Sequence, residues 1–580
     1  MRGRKSAAHV GAPVSGEREA LRELLLAIQR SAQGGEVARA AQLAEAALAE
    51  GLEHPLIFNV LALRRELAGD LSEAERLLRR AVALSPTDKP ARNALGLCLL
   101  RLARHEEALE QFDALAAADP ALPFVHASRG NALFALTRVQ EAEAAFLRAV
   151  DLDPRQAVAL AGLARIASYR GAYEQARAWA QRALDSVPDH PDAQLSLASA
   201  ELGERQPAVA ETRLRNMLAR VDLSAEQRAL ASGLLADALD AQGRTSEAFV
   251  AYSESNALQR QASAAQFAAR TPSALEYAHS LREYLRGTEE ARWRAAPPVS
   301  APGPVAGHVF VLGFLRSGTS LLEAILEGHP QVASLEESES LIDGVLQFMR
   351  RPEDLEALLE APPATYETLR GAYWRRVAQT GVAVAGKIFV DKNPLNTLKL
   401  PLIARLFPRA KILVACRDPR DVVLSCFRHR FRMSAPIYEM LTLEGAARYY
   451  DAVMRVLMEC TRLLPLDFSL VRHEDVVSGF AREMRRVCDF LGLQWDAAMG
   501  DFAARSHARA ALTPSTAQLA EGLNAQGLGR WRRYREQLAP VLPILAPWVG
   551  QFYDEQPGAG QAPPREAALH RASWPAGGGN

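Results

Sequence analysis

A chain of 580 residues is long enough for two or more domains, each with its own core. Its composition, 49% hydrophobic and 23% charged, is that of an ordinary folded protein and excludes a disordered one. With 68 basic and 68 acidic residues the formal charge is zero, so no global field points to nucleic acid or to a membrane surface, and any anion site has to be local.

The opening residues, MRGRKSAAHVGAPVSGERE, are basic but have no continuous apolar core, and no run of about 18 apolar residues follows anywhere. The expectation is a disordered N-terminus over 1–18, no membrane span and a cytoplasmic protein. Five cysteines, Cys98, Cys416, Cys426, Cys460 and Cys488, contain no CxxC pair and are odd in number, which reads as buried free thiols.

From residue 19 to 265 the chain is rich in alanine, leucine, arginine and glutamate and almost free of strand signals. Pro86, Pro120, Pro154 and Pro188 recur with a period of 34. At fixed offsets before them stand Leu61, Leu95, Arg129 and Leu163 on a first helix. Ala74, Ala108, Ala142 and Ala176 are the small contacts of a second helix, and Leu78, Phe112, Phe146 and Ala180 are larger ones. The pattern resembles the tetratricopeptide repeat, a helical hairpin that buries its apolar face only by stacking on neighbours. Weaker units flank it, one carrying Ala40, Ala44 and Ala47 and another Ala210 and Leu214. A last hairpin sits about four residues out of phase, so about six hairpins are expected. The resemblance implies an all-α superhelix whose concave face takes a peptide or protein segment. Bracing of the neighbouring domain, or a homodimer, is the alternative. Residues 266–306 read as a bridging helix and a Pro-rich linker, with the domain boundary near residue 300.

Beyond it, HVFVLGFLRSGTSLLEAIL (His308 to Leu326) reads as strand, loop and helix. Backbone N–H groups at a helix N-terminus make a prepared anion site. Gly313 and Gly318 have the spacing of a nucleotide phosphate loop, but Thr319 stands where that motif requires lysine, and the positive charge moves to Arg316. A plain glycine turn is the alternative. Val332 to Leu335 reads as the second strand, with Glu336 and Glu337 at its carboxyl end, where ligands bind in open α/β sheets. One of them there can serve as a general base; the other reading is an acidic helix start. KIFVD is a strand with Lys392 at its tip, NTLKLPLIARLF a helix, and AKILVAC a strand suited to a sheet covered on both faces. Arg417 leaves that last strand, Asp418 caps the next helix with Pro419 at its first position, and Ser425 lies two turns along. Arginine and serine so placed can clamp one phosphate. Strand, loop and helix in repetition describe a doubly wound, three-layer α/β domain with a parallel sheet.

RSGTS after a strand, the paired glutamates, DKNP and RDPRDVVLS, in that order, resemble the sulfotransferases that use 3′-phosphoadenosine-5′-phosphosulfate. They are similar in particular to the tyrosylprotein sulfotransferases and to bacterial proteins joining tetratricopeptide repeats to such a domain. The resemblance implies a P-loop-like sulfotransferase domain over 307–553, followed by a disordered tail over 554–580. It implies that Arg316, Ser317, Gly318, Thr319 and Ser320 hold the 5′-phosphate and that Arg417 and Ser425 hold the 3′-phosphate, with Arg530 of GRWRRY a further candidate, the other reading of that segment's arginines being a solvated helix face. Glu337 falls where the tyrosylprotein enzymes have their base, and Lys392, with Arg316, where they stabilise the leaving phosphate. Leu512 to Ser515 and GRWRRY resemble the segment that closes over the nucleotide. Two departures are Leu315, in the place of a usual proline, and His473, in the place of a usual tyrosine, which reads as a satisfied structural histidine or else as an adenine or phosphate contact. No metal is expected: no zinc-type ligand spacing occurs, and arginine, lysine and backbone N–H groups can supply the charge. The implied activity is transfer of a sulfuryl group to an acceptor hydroxyl, a peptide tyrosine or else a carbohydrate or small molecule. A deviant P-loop kinase and a non-catalytic repeat scaffold are the other classes.

Overall fold

Helices from Ser15–Gln33 to Thr245–Phe267 pair into seven hairpins in the computed structural model, where about six are expected. The structure describes residues 15–269, 271–294, 303–508, 522–523 and 527–553. Expectations for residues 1–14, most of the Pro-rich linker, Leu512 to Ser515 and residues 554–580 lie outside the described residues. Contacts divide the chain into two units, Met1–Leu197 and Ala198–Asn580.

In the first unit, side-chain caps start several helices: Asp70 accepts from the Glu73 amide and Asp88 from that of Ala91. The alanines at the small contact, Ala74, Ala108, Ala142 and Ala176, are wholly buried. Phe146 sits between Gly130 and Gly162, where an added Cβ would come within 2.5 Å of its ring. The hairpins can stack only because one position is small where the next is large.

The second unit begins inside the helix Pro191–Gly203. The out-of-phase hairpin has a simple cause: its first helix, Ala225–Ala241, has 17 residues where Pro55–Leu67 and its equivalents have 13. The expected boundary near residue 300 is not where the contacts divide the chain. Helix Ala274–Gly287 is no mere bridge, since Ala278, Leu281 and Leu285 are buried in the same core as Phe310 and Leu312 of the sheet.

That sheet has five parallel strands, β1 (Gly307–Gly313), β2 (Val332–Glu336), β3 (Ile388–Lys392), β4 (Lys411–Cys416) and β5 (Asp467–Arg472), in the order β2-β3-β1-β4-β5. Side chains alternate between its faces. Phe310 and Leu312 of β1 enter one core with Phe389, Ile412 and Val414; Val309 and Val311 enter the other with Val390, Leu413 and Val471. Two covered faces make three layers, as the continuous apolar strands imply. NTLKLPLIARLF departs from one helix into a 3₁₀ turn, Pro394–Lys399, and a short helix, Leu400–Leu406, the break falling where Pro401 has no N–H to donate. All five cysteines are free and buried. Among the described residues no helix is long and apolar enough to cross a membrane.

Candidate active site

The chain leaves β1 toward β2 and leaves β4 toward β5, so the strand order reverses between β1 and β4. A crevice opens at such a point, at the carboxyl ends of the strands. The loop after β1 enters it. Gly313 is required there: its φ is 150°, and an added Cβ would lie 2.3 Å from the Ala415 carbonyl oxygen of β4. Arg316 is left-handed at φ 65°, and Gly318, at φ 101°, is the N-cap of helix Thr319–Leu326. Left-handed backbone at a non-glycine residue is costly, and it persists where the surroundings over-determine it. Ser317 differs from its expected role: its amide and hydroxyl both donate to the Phe314 carbonyl, at 3.3 and 2.6 Å, so its side chain braces the loop itself.

Arg316 Nε donates to Ser425 Oγ at 3.1 Å, joining the loop after β1 to helix Pro419–Arg428 after β4. Asp418 caps that helix and Pro419 opens it, as expected. Burial pushes the Arg316 pKa down to about 10, with Arg417 and Arg428 adding repulsion. Arg417 donates to the Gly527 carbonyl, and its Nε is buried with no hydrogen-bond partner. His473 is not the satisfied histidine expected. Its Nδ1 is also buried without a partner, and burial, reinforced by Arg417 and Arg316, pushes its pKa down to about 3, leaving the ring neutral. Arg472 pairs with Asp475 at 2.7 Å and serves the turn after β5.

On the other side of the loop Lys392, fully buried, lies 2.8 Å from Glu337, 3.1 Å from Glu336 and 3.6 Å from Glu323, and donates to Ser320 Oγ at 3.4 Å. Strand register opposes Glu336 to Lys392, and the Glu337 amide adds one further bond to the Lys392 carbonyl at 2.7 Å. Neighbours on an extended strand face opposite ways. The left-handed φ of 45° at Glu337 breaks that alternation, so that both carboxylates reach one ammonium. Neither glutamate is on a helix, since the next one starts at Ile342. Burial acts to lower the Lys392 pKa, but the three carboxylates outweigh it and raise the pKa above its ordinary value, so lysine stays charged. Glu323 escaped notice in the sequence. Its only signal was an acid one turn past Thr319 on the buried face of an otherwise apolar helix.

Arg530 opens the turn Arg530–Tyr534. Asp421 accepts from the amides of Gly529 and Trp531, at 2.6 and 2.8 Å, and Arg420 stacks on the Trp531 ring, which pins this turn to the helix that carries Ser425. Among the described residues no group of three His, Cys, Asp or Glu side chains could hold a metal ion.

Residues 308–497 match the model of the Sulfotransferase family, and tetratricopeptide repeat models match residues 25–89, 67–129 and 128–191. An uncharacterized protein of Aquifex aeolicus is 28% identical over 254 residues, 42% of this chain and 32% of that one. Protein-tyrosine sulfotransferase A of Caenorhabditis elegans is 25% identical over 195 residues, 32% of this chain and 50% of that one. The protein-tyrosine sulfotransferase of Drosophila melanogaster is 24% identical over 260 residues, 41% and 51% respectively. The chain thus spans about a third to a half of the length of these relatives. A solved thermophilic tetratricopeptide repeat protein of Thermus thermophilus is 21% identical, with a TM-score of 0.29, over 31% of this chain and 98% of that one, too distant a likeness to argue from. The chain carries tetratricopeptide repeats followed by a sulfotransferase-family domain with a parallel five-stranded sheet.

Proposed function

We propose that the C-terminal domain transfers a sulfuryl group from 3′-phosphoadenosine-5′-phosphosulfate to an acceptor hydroxyl. The observation that carries this is the double pairing around one loop, Lys392 with Glu337 on one side and Arg316 with Ser425 on the other. The residues fit the donor. Arg417 Nε and His473 Nδ1 are buried polar atoms without partners, and Arg417 and Arg428 both repel Arg316. An anion phosphorylated at both ends of its ribose answers the repulsion and gives the arginine a partner.

When bound, the donor supplies the sulfuryl group and leaves as a bisphosphate. The chain's own residues do the rest by position and charge. Glu337, whose side chain is 47% exposed against 16% for Glu336 and 1% for Glu323, is the carboxylate an acceptor hydroxyl can reach. It takes the proton as the oxygen attacks sulfur. Lys392 and Arg316 stabilise the negative charge that develops on the departing 5′-phosphate. Glu336 and Glu323 keep Lys392 compensated when Glu337 becomes neutral. The backbone of Gly318, Thr319 and Ser320 cradles the 5′-phosphate at the helix N-terminus, and Arg417, Ser425 and Arg530 take the 3′-phosphate.

A peptide tyrosine is the proposed acceptor because the relatives named for an acceptor act on protein tyrosine. The repeats are read as the platform for a peptide or protein segment, in a cytoplasmic, metal-independent enzyme. Labelled donor incubated with a tyrosine peptide, a hexosamine oligosaccharide and a phenol tests this; transfer to the peptide is expected, and transfer to none removes the catalytic reading. A larger thermal shift with adenosine 3′,5′-bisphosphate than with ATP and magnesium is expected in the same protein, and the reverse order would favour a kinase.

A further inference from the structure

Two of the three proposed 3′-phosphate ligands lie on separate elements, Ser425 on helix Pro419–Arg428 and Arg530 on the turn Arg530–Tyr534, while Arg417 stands just before that helix. A carboxylate from far upstream holds both elements. Asp240 stands next to the end of helix Ala225–Ala241, in the last hairpin, and is buried. One of its oxygens accepts from Arg428 Nη2 at 2.7 Å and the other from the Tyr534 hydroxyl at 2.7 Å. The Arg533 guanidinium lies 3.2 Å from the carboxylate and donates to the Asp240 carbonyl at 2.8 Å. Arg428 is also bonded to the Tyr252 hydroxyl at 2.9 Å, and that hydroxyl donates to Asp237 at 2.6 Å. Burial alone would raise the Asp240 pKa; Arg428 first, then Tyr534, Arg530 and Arg533, hold it below its ordinary value.

The two tethers of the turn differ in kind. Asp421, which takes the amides at its start, belongs to the same helix as Ser425 and moves with it. Asp240 takes the residues at its end and the last residue of that helix, yet belongs to neither. It is therefore a tether external to both elements. The hairpin is itself secured to this helix, through Asn256 Nδ2 on the Phe427 carbonyl at 2.8 Å and Phe249 stacked on Phe427 at 5.2 Å.

We propose that Asp240 is a positioning residue for the 3′-phosphate end of the donor site, so that the last repeat hairpin sets the preference for a nucleotide phosphorylated on its 3′ oxygen. This rests on the donor reading above. The full chain is titrated with adenosine 3′,5′-bisphosphate and with adenosine 5′-monophosphate, as wild type, Asp240→Asn and Tyr534→Phe. Tyr534→Phe removes one hydroxyl and leaves no buried charge unpaired, so it reports even where Asp240→Asn fails to fold. The bisphosphate Kd is expected to rise about tenfold or more in Asp240→Asn, the equivalent of a lost charge-assisted hydrogen bond, and to rise by less in Tyr534→Phe. The monophosphate Kd is expected to stay within about twofold, because the 5′ loop does not touch Asp240. A wild type that prefers the bisphosphate, with variants that keep the full preference or weaken equally for both nucleotides, overturns the role of Asp240 alone. A wild type without that preference overturns the donor reading and this role with it.

Discussion

Glu336 and Glu337 are neighbours in the chain and both touch Lys392, yet burial and backbone separate their tasks. Glu336 is the strand residue in register with Lys392, while Glu337 has turned out of the strand toward solvent. Glu337→Gln is therefore expected to lower turnover by about 2 to 4 decades with little change in donor affinity, the usual range for loss of a general base. A rate constant within a few-fold of wild type would move the role to Glu336. On the opposite face of β3, Asp391 accepts a bond from the Tyr373 hydroxyl at 2.7 Å, and burial pushes its pKa up to about 6 from 3.8. The folded state then holds the proton more tightly than the unfolded one. That contribution is full below about pH 4 and is lost as pH rises through about 6, by about 3 kcal/mol for a gap of this size. Asp391→Asn, which cannot ionise, should gain on wild type in urea unfolding from pH 4 to 6 and hold the gain above it. A constant difference across that range would mean that Asp391 titrates normally.

At the scale of elements, the tip of β1 touches β4 so closely that no side chain fits. Gly313→Ala would place a methyl against the Ala415 carbonyl, a backbone atom, so that the strand tip or the loop has to shift. A loss of about 1 to 3 kcal/mol of stability is expected from such overpacking, together with weaker binding of adenosine 3′,5′-bisphosphate, since the loop must shift to relieve the clash. Wild-type melting and affinity in this variant would show that the strands separate more easily than the packing implies. The strand, loop and helix sequence from His308 to Leu326 was legible because its apolar run, glycines and helical period sit in one stretch. The contact that makes Gly313 obligatory was not, because Ala415 is far along the chain and adjacent only once β1 pairs with β4.

At the scale of the whole molecule, the last hairpins and helix Ala274–Gly287 belong to the same compact unit as the sheet. A chain starting at Pro191 is expected to unfold cooperatively and to bind adenosine 3′,5′-bisphosphate like the full protein. One starting at Gly307 lacks Leu281, Leu285 and the Phe249 stack, leaves their apolar partners bare, and is expected to aggregate on calorimetry. Cooperative melting of the shorter chain at the full-length temperature would contradict this. The sequence by itself determined the repeats and the parallel α/β domain, because period, spacing and strand ends are local properties of a chain, and its motifs suggested most of the ligands proposed for the donor. Glu323 beneath Lys392, the inward turn of Ser317, the unpartnered Nδ1 of His473 and the tether at Asp240 were decided only by tertiary structure. Each depends on which distant side chain shares a buried volume, and burial is what makes a lone charge or donor costly enough to matter.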